Sequence, residues 1–199
     1  QTLCEGLKEA CNIDSLAPIY YGARHMTANT PLNSVSDLKG LKMRVASDPM
    51  PTAFFEALGA TPTPVAYNET YLALQQNVAD GEENPAASIT SMKFYEVQKT
   101  LNLTAHQYQM LTIYMSVPSE EKLSDAQMEA VRKAAAQAAE EHNAVAFDQE
   151  QEIIDALKDK IEVVTPSDLD SFKEACAAVY PTYEKVWGEG VADAIKALA

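Results

Sequence analysis

Leu41, Met43 and Val45 alternate with Lys42, Arg44 and Ala46, the period-2 pattern of a short strand. The helical run Thr52–Leu58 follows a Pro-containing turn and closes at Gly59. Other short strands are expected at Ala17–Tyr21 and Thr63–Tyr67, with Gly22-Ala23-Arg24-His25-Met26-Thr27 as a turn into an extended segment. Ser34-Val35-Ser36-Asp37 fits a capping box, and Gly40 closes that short helix. Asn68 is placed to cap a helix over Glu69–Val78, which Asp80-Gly81 ends. A Pro-rich turn at Asn84-Pro85 leads into a helix over Ala86–Tyr95, followed by strands around Leu101–Thr104 and Met110–Val117. Short strands alternating with helices predict an α/β sheet layered with helices.

From Ser124 the pattern changes. Ser124-Asp125-Ala126-Gln127 is a capping box, and helical composition continues to about Lys158 without glycine or proline. Met128, Val131, Ala135, Ala138, His142 and Val145 recur at three- and four-residue steps. A helix of about 35 residues would be about 50 Å long. It fits either a long surface helix or one bridging two lobes. Ile161–Val164 predicts a last strand, and Ser167-Asp168 caps a helix expected to run on through Tyr180-Pro181.

The chain has 199 residues, and 15 basic side chains stand against 29 acids for a formal charge of −14. That balance argues against nucleic acid or an anionic membrane surface as partner, since both reward basic patches. No run approaches the roughly 18 apolar residues of a membrane span, so a soluble domain without membrane insertion is expected. No signal-like segment opens the chain, and Gln1-Thr2-Leu3-Cys4 reads as the interior of a helix. Cys4 and Cys11 fall on one short helix, about 10 Å apart along its axis and too far for a bridge. Cys176, among alanines, reads as a small core residue.

Catalytic constellations are missing. His25, His106 and His142 have no Cys, Asp or Glu at metal-ligand spacing, and no nucleophile elbow, phosphate loop or dinucleotide fingerprint occurs. Neither metal nor cofactor is expected, and Glu82-Glu83 reads as a solvated turn rather than an acid/base pair. The arginines are three: Arg24, Arg44 and Arg132. Arg44, in a strand that feeds a helix, stands where α/β folds put ligands. A guanidinium there suits two roles, pairing with an acid on a neighbouring strand or gripping a ligand carboxylate with two parallel hydrogen bonds.

Five blocks resemble the solute-binding proteins of tripartite ATP-independent periplasmic (TRAP) transporters, the DctP family. They are Asp37-Leu38-Lys39-Gly40-Leu41-Lys42-Met43-Arg44-Val45, Gly59-Ala60-Thr61-Pro62-Thr63-Pro64, Glu69-Thr70-Tyr71-Leu72-Ala73-Leu74-Gln75, Asp80-Gly81-Glu82-Glu83-Asn84-Pro85 and Lys93-Phe94-Tyr95-Glu96-Val97-Gln98-Lys99. The resemblance implies an α/β, two-lobed receptor that closes on a carboxylated solute, with a long helix spanning both lobes. Arg44 matches the family's signature arginine on the ligand carboxylate, and Asn84 the asparagine that helps hold it. The sialic-acid-binding members are nearest in look: Arg24 stands at their second arginine and Tyr67 at their aromatic against the sugar. His106 fits either the pocket lining or a structural hydrogen bond. Tyr67 replaces an expected phenylalanine, Ala46 and Ser47 replace a polar–proline pair, and Ala105-His106 replaces an asparagine–histidine pair. Ser47 still falls in the ligand-facing stretch.

The family's chains extend further at the amino end, so most of the first lobe is expected to be missing from this sequence. Residues 1–21 and 110–149 would be what remains of lobe 1, with most of the long helix. Residues 22–109 and 150–199 would form lobe 2, carrying the carboxylate site. The implied function is that of a periplasmic, non-enzymatic receptor delivering a sialic acid or related sugar acid to the membrane subunits of a TRAP transporter. A uronate or C4-dicarboxylate receptor, or a solute sensor feeding a signalling partner, is the alternative.

Overall fold

Strand β2 (Lys42–Val45) has no polar face: Met43, Arg44 and Val45 are all buried. Its neighbours explain this. In the computed structural model, which describes residues 6–197, β2 lies between β3 (Thr61–Pro64) and β4 (Gly81–Pro85) and is parallel to both. A strand inside a parallel array with helices on its faces is covered on both sides, so alternation does not separate core from solvent. The mixed sheet has six strands among the described residues, in the order β3-β2-β4-β1-β5-β6, where β1 is Ile13–Ala28, β5 is Thr100–Ser116 and β6 is Glu162–Val164. β1 runs antiparallel to β4, pairing Arg24 with Pro85, His25 with Asn84, Met26 with Glu83 and Thr27 with Glu82.

Contacts divide the chain into two units, Gln1–Gly22 with Tyr108–Gln151 and Ala23–Gln107 with Glu152–Ala199. The second unit holds two apolar clusters. One packs Met26, Leu38, Met43 and Val45 against Phe55 of helix α2 (Pro49–Ala57) and Phe172 of a helix near the C-terminus. The other packs Leu74 of α3 (Thr70–Gln75), Ile89 of α4 (Ala86–Ser91), Phe94 and Leu101 with Ile154 and Leu157. Gly81 opens β4 where a Cβ would press on the Thr27 carbonyl and the Met43 side chain, so only glycine lets β4 lie this close to β1 and β2. At the sheet edge, Thr61 and Val65 turn their N–H groups inward to the carbonyls of Leu41 and Val45, and the two positions between them that would face outward are Pro62 and Pro64.

The first unit comprises α1 (Leu7–Cys11), the first part of β1, the last part of β5, α5 (Val117–Glu120) and most of α6 (Asp125–Leu157). Ala17, Ala135 and Ala139 form its buried cluster. Arg132 donates to Asp14, and Lys8 reaches Glu120 at 2.7 Å. The box expected at the start of α6 is present: Ser124 N donates to Gln127 Oε1 at 2.9 Å, and Gln127 N returns a bond to Ser124 Oγ at 3.4 Å.

Several expectations are corrected. β1 continues through Gly22, which takes φ 141° without ending the strand, so no turn forms there. The segments at Leu101–Thr104 and Met110–Val117 belong to one strand, β5, with Ala105 at φ 42° within it. Asn84-Pro85 is the end of β4 and not a turn, because the missing N–H of Pro85 falls at the last rung of the ladder. Asn68 lies inside a 3₁₀ turn, Tyr67–Glu69, ahead of α3. The C-terminal helix is α7 (Leu169–Ala177) and, after a break, α8 (Tyr180–Trp187) with Pro181 in its first turn; α9 (Val191–Lys196) follows. Cys11 is exposed and Cys176 buried, both free, and Gln1–Cys4 lie outside the described residues.

Candidate functional site

The sheet order brings Arg24, Arg44, Asn84, Tyr67 and His106 into one unit from β1, β2, β4, the 3₁₀ turn after β3, and β5. Arg44 is 4% exposed, gives its Nε–H to the Val65 carbonyl at 2.9 Å, and stands 5.9 Å from the centre of the Tyr67 ring. It makes no ion pair among the described residues, and its terminal nitrogens have no protein acceptor there. Burial lowers its pKa, Glu82 and Glu83 oppose that from a distance, and Arg24 adds to the lowering. Arg44 is thus a largely buried cation with no contacting carboxylate among the described residues, its terminal nitrogens still reached by solvent and open to an anion.

Arg24 is differently placed. Its Nε and Nη2 grip the Glu83 carboxylate, Nη2 also reaches the Glu83 carbonyl at 2.8 Å, and Nη2 donates to Asn84 Oδ1 at 3.2 Å. Asn84 gives Nδ2 to Glu82 Oε2 at 2.6 Å, and Thr27 Oγ1 donates to Glu82 Oε1 at 3.0 Å. The ring of His106 is fixed between Thr104 Oγ1, 2.8 Å from Nδ1, and Glu83 Oε2, 3.4 Å from Nε2, and stacks on Phe54 at 5.5 Å. Tyr67 is 42% exposed and meets Phe94 edge-on at 6.5 Å. Ser47 lies exposed in the bend between β2 and α2, and its side chain makes no hydrogen bond among the described residues.

The two acids overturn the solvated-turn reading. Glu82 and Glu83 are buried inside β4, because β1 and β2 flank that strand on both sides. Burial raises the Glu83 pKa, but the bonds from His106 and Arg24 outweigh it and leave the carboxyl below its ordinary range. Glu82, whose bonds come from an amide and a hydroxyl, is pushed up to about 7 by burial. His25, beside Asn84 on β1, is lowered to about 4 by burial and by the neighbouring His106. It accepts from the Ala105 N–H through Nδ1 at 3.2 Å, as a neutral imidazole can. The local signal for Glu82 and Glu83 was weak, but the count of arginines carried one: two guanidiniums on interior strands need counter-charges, and these acids directly precede Asn84.

No group of three or more His, Cys, Asp or Glu suited to a metal occurs among the described residues, and none of their helices is long and apolar enough to cross a membrane. The arrangement can hold an anion at Arg44, with the Tyr67 ring beside it and an amide oriented by its neighbours.

The chain has relatives among known proteins. The model of the bacterial extracellular solute-binding proteins, family 7 (DctP), matches residues 1–186. The sialic acid-binding periplasmic protein of Vibrio cholerae is 37% identical over 90% of this chain and 56% of its own length. The C4-dicarboxylate-binding periplasmic protein of Rhodobacter capsulatus is 32% identical over 95% of this chain and 58% of its own. The chain therefore spans little more than half the length of these curated relatives. A TRAP periplasmic solute-binding protein from Roseobacter denitrificans, solved with bound 3-deoxy-D-manno-oct-2-ulosonic acid, superimposes with a TM-score of 0.91 at 31% identity, covering 100% of this chain and 67% of that one. Another from Sulfitobacter, with bound β-D-galacturonate, gives 0.87 at 28% identity over 93% and 62%. Motif order, sheet and family match converge, and the chain belongs to the DctP family of TRAP solute-binding proteins.

Proposed function

We propose that this chain is the ligand-anchoring part of a periplasmic receptor that binds a sugar acid and hands it to the membrane subunits of a TRAP transporter. The observation that carries the reading is Arg44, buried and without a contacting carboxylate among the described residues. A ligand carboxylate that accepts two parallel bonds from its terminal nitrogens supplies the missing counter-charge. Arg24, held by Glu83, and Asn84, held by Glu82, complete the carboxylate cradle, Tyr67 offers a ring face and Ser47 is open to the remainder of the solute, while the buried His106 helps hold Glu83. The second unit, close to residues 22–109 with 150–199, is the lobe that carries these groups, and 1–21 with 110–149 belongs to the other lobe. The work done is recognition and not bond chemistry.

Sialic acid is one candidate, by the likeness to the Vibrio cholerae protein. Uronates, other ulosonic acids and C4-dicarboxylates are supported equally by the relatives named above. A thermal-shift screen of the full-length protein against these acids separates them. A ligand at 100 times its dissociation constant adds about 2.7 kcal/mol of stability. Arg44→Ala is expected to cost about 3 kcal/mol of binding, and Arg44→Lys to restore part of it, because an ammonium cannot make the paired contact. Unchanged calorimetric affinity in both variants would remove Arg44 from the site and the reading with it.

A further inference from the structure

Four charges sit together on adjacent strands of the second unit, and they are not matched in the same way. Arg24 and Glu83 are in direct contact, and His106 adds a second bond to Glu83. Arg44 and Glu82 sense each other, yet no ion pair joins them. Both hydrogen-bond donors to Glu82 are neutral, Asn84 Nδ2 at 2.6 Å and Thr27 Oγ1 at 3.0 Å, and the side chain is fully buried. With all four groups ionised the cluster is neutral. A ligand carboxylate at Arg44 adds one negative charge to this largely buried cluster.

We infer that binding an anionic ligand at Arg44 is coupled to uptake of one proton by the buried carboxylate of Glu82. This rests on the receptor reading above. The proton restores neutrality, and of the two acids Glu82 is the one to take it, since Glu83 is held in its charged form by direct bonds from Arg24. Both forms fit the same positions. The carboxylic acid still accepts from Asn84 through one oxygen, and the Thr27 hydroxyl turns from donor to acceptor for the other. Asn84 keeps its amide oxygen toward Arg24 throughout.

The elements packed against β4 supply few other titrating groups. β1 brings Arg24 and His25, the latter neutral near pH 7 because burial lowers its pKa to about 4. β2 brings Arg44 and also Lys42, whose ammonium is taken by the Asn77 carbonyl and Asp80. α3 carries Tyr71, bonded to Glu96, and α4 carries no charged residue. His106 of β5 bonds to Glu83 and not to Glu82, and is the other titratable side chain beside the pair. Burial already pushes the Glu82 carboxyl up to about 7, so the exchange falls in the physiological range.

Linkage fixes the sign. An anion bound nearby raises the proton affinity of Glu82 further, so ligand affinity is highest below about pH 7 and falls by up to about tenfold per pH unit above it, until the bound-state value is passed. The test is calorimetry on the full-length protein with galacturonate, 3-deoxy-D-manno-oct-2-ulosonic acid, sialic acid and succinate, at about pH 8 in buffers of different ionisation enthalpy. Wild type is expected to take up close to one proton per ligand bound. E82Q, which keeps an acceptor for Asn84, should take up none, bind with affinity flat in pH, and exceed wild type at about pH 8. H106N should retain the uptake, which decides the matter even if E82Q does not fold. Uptake that persists in E82Q, or vanishes in H106N, overturns the assignment to Glu82. Binding that needs Arg44 but moves no proton overturns this inference and leaves the receptor reading standing, whereas no binding of any of these acids overturns both.

Discussion

The two units of the chain are held by different means. The second buries Phe55, Phe94, Phe172, Met26, Met43, Leu74 and Leu101 in two clusters. The cluster of the first is three alanines, with Leu16, Ile19 and Ile113 partly covered around them. Most of its aromatic residues lie outward, Tyr108 65% exposed and Phe147 62%, with Tyr20 the buried exception among those described. Strand β5 passes through both regimes, buried from Thr100 to Asn102 and largely exposed beyond His106. Apolar burial contributes about 25 cal/mol per Å², so alanines bring little, and the first unit relies on ladder hydrogen bonds and the Lys8, Asp14, Glu120 and Arg132 charges. Similar secondary structure thus covers very different packing, and the proposed anion site belongs to the strongly packed unit.

That contrast can be broken by substitution. The largest effect is expected for Phe94→Ala, about 3 to 5 kcal/mol in urea unfolding, against about 1 kcal/mol or less for Phe147→Ala, which stacks on Tyr20 at the surface. Equal losses would show the exposed ring to be as important as the buried one. Gly81→Ala should cost about 1 to 3 kcal/mol, because its methyl group must displace the Thr27 carbonyl or Met43. A loss of carboxylate binding is expected alongside, since β4 carries Asn84.

Arg44→Met should run the other way. Replacing a buried cation by an apolar side chain of similar length should raise stability without ligand by about 1 kcal/mol while abolishing binding. A lower melting temperature for the ligand-free variant would show that Arg44 supports the fold. The smallest change is Arg132→Ala in the first unit, below about 1 kcal/mol because the pair is half exposed. The Asp14 carboxyl is held down to about 2, with its coupling to Glu120 the first cause and the bond from Arg132 the second. A lowered acid stabilises the fold above its unfolded value near 3.8, and that contribution is lost as pH falls toward about 2. Arg132→Ala should flatten this acid limb, which a pH series of unfolding curves reads directly.

Local chemistry was the legible part. The boxes at Ser34 and Ser124, the stop at Gly40 and the length of α6 follow from residues within one or two turns of each other. Strand extents were harder. Gly22 reads as a turn and the polar stretch between Leu101–Thr104 and Met110–Val117 as a gap, yet long-range pairing keeps β1 and β5 intact through both. At the site, Arg44, Asn84, Arg24, Tyr67 and His106 were named from motif order, and their gathering depends on strand order that no local pattern encodes. Glu82 and Glu83 were misread for the same reason: their burial is decided by β1 and β2, which lie far away in sequence.

The prolines of β3 have a consequence for how these molecules behave when crowded. An edge strand normally offers a row of open N–H groups to which a strand of another molecule can add. Here the inward N–H groups of Thr61 and Val65 are taken by β2, and the outward positions are Pro62 and Pro64, which have no N–H. At the opposite edge, β6 is three residues long. On the β3 side, this sheet therefore offers no row of donors to a strand of another molecule. Replacing Pro62 and Pro64 together by threonine would restore that row of donors and, with it, the hazard of self-association.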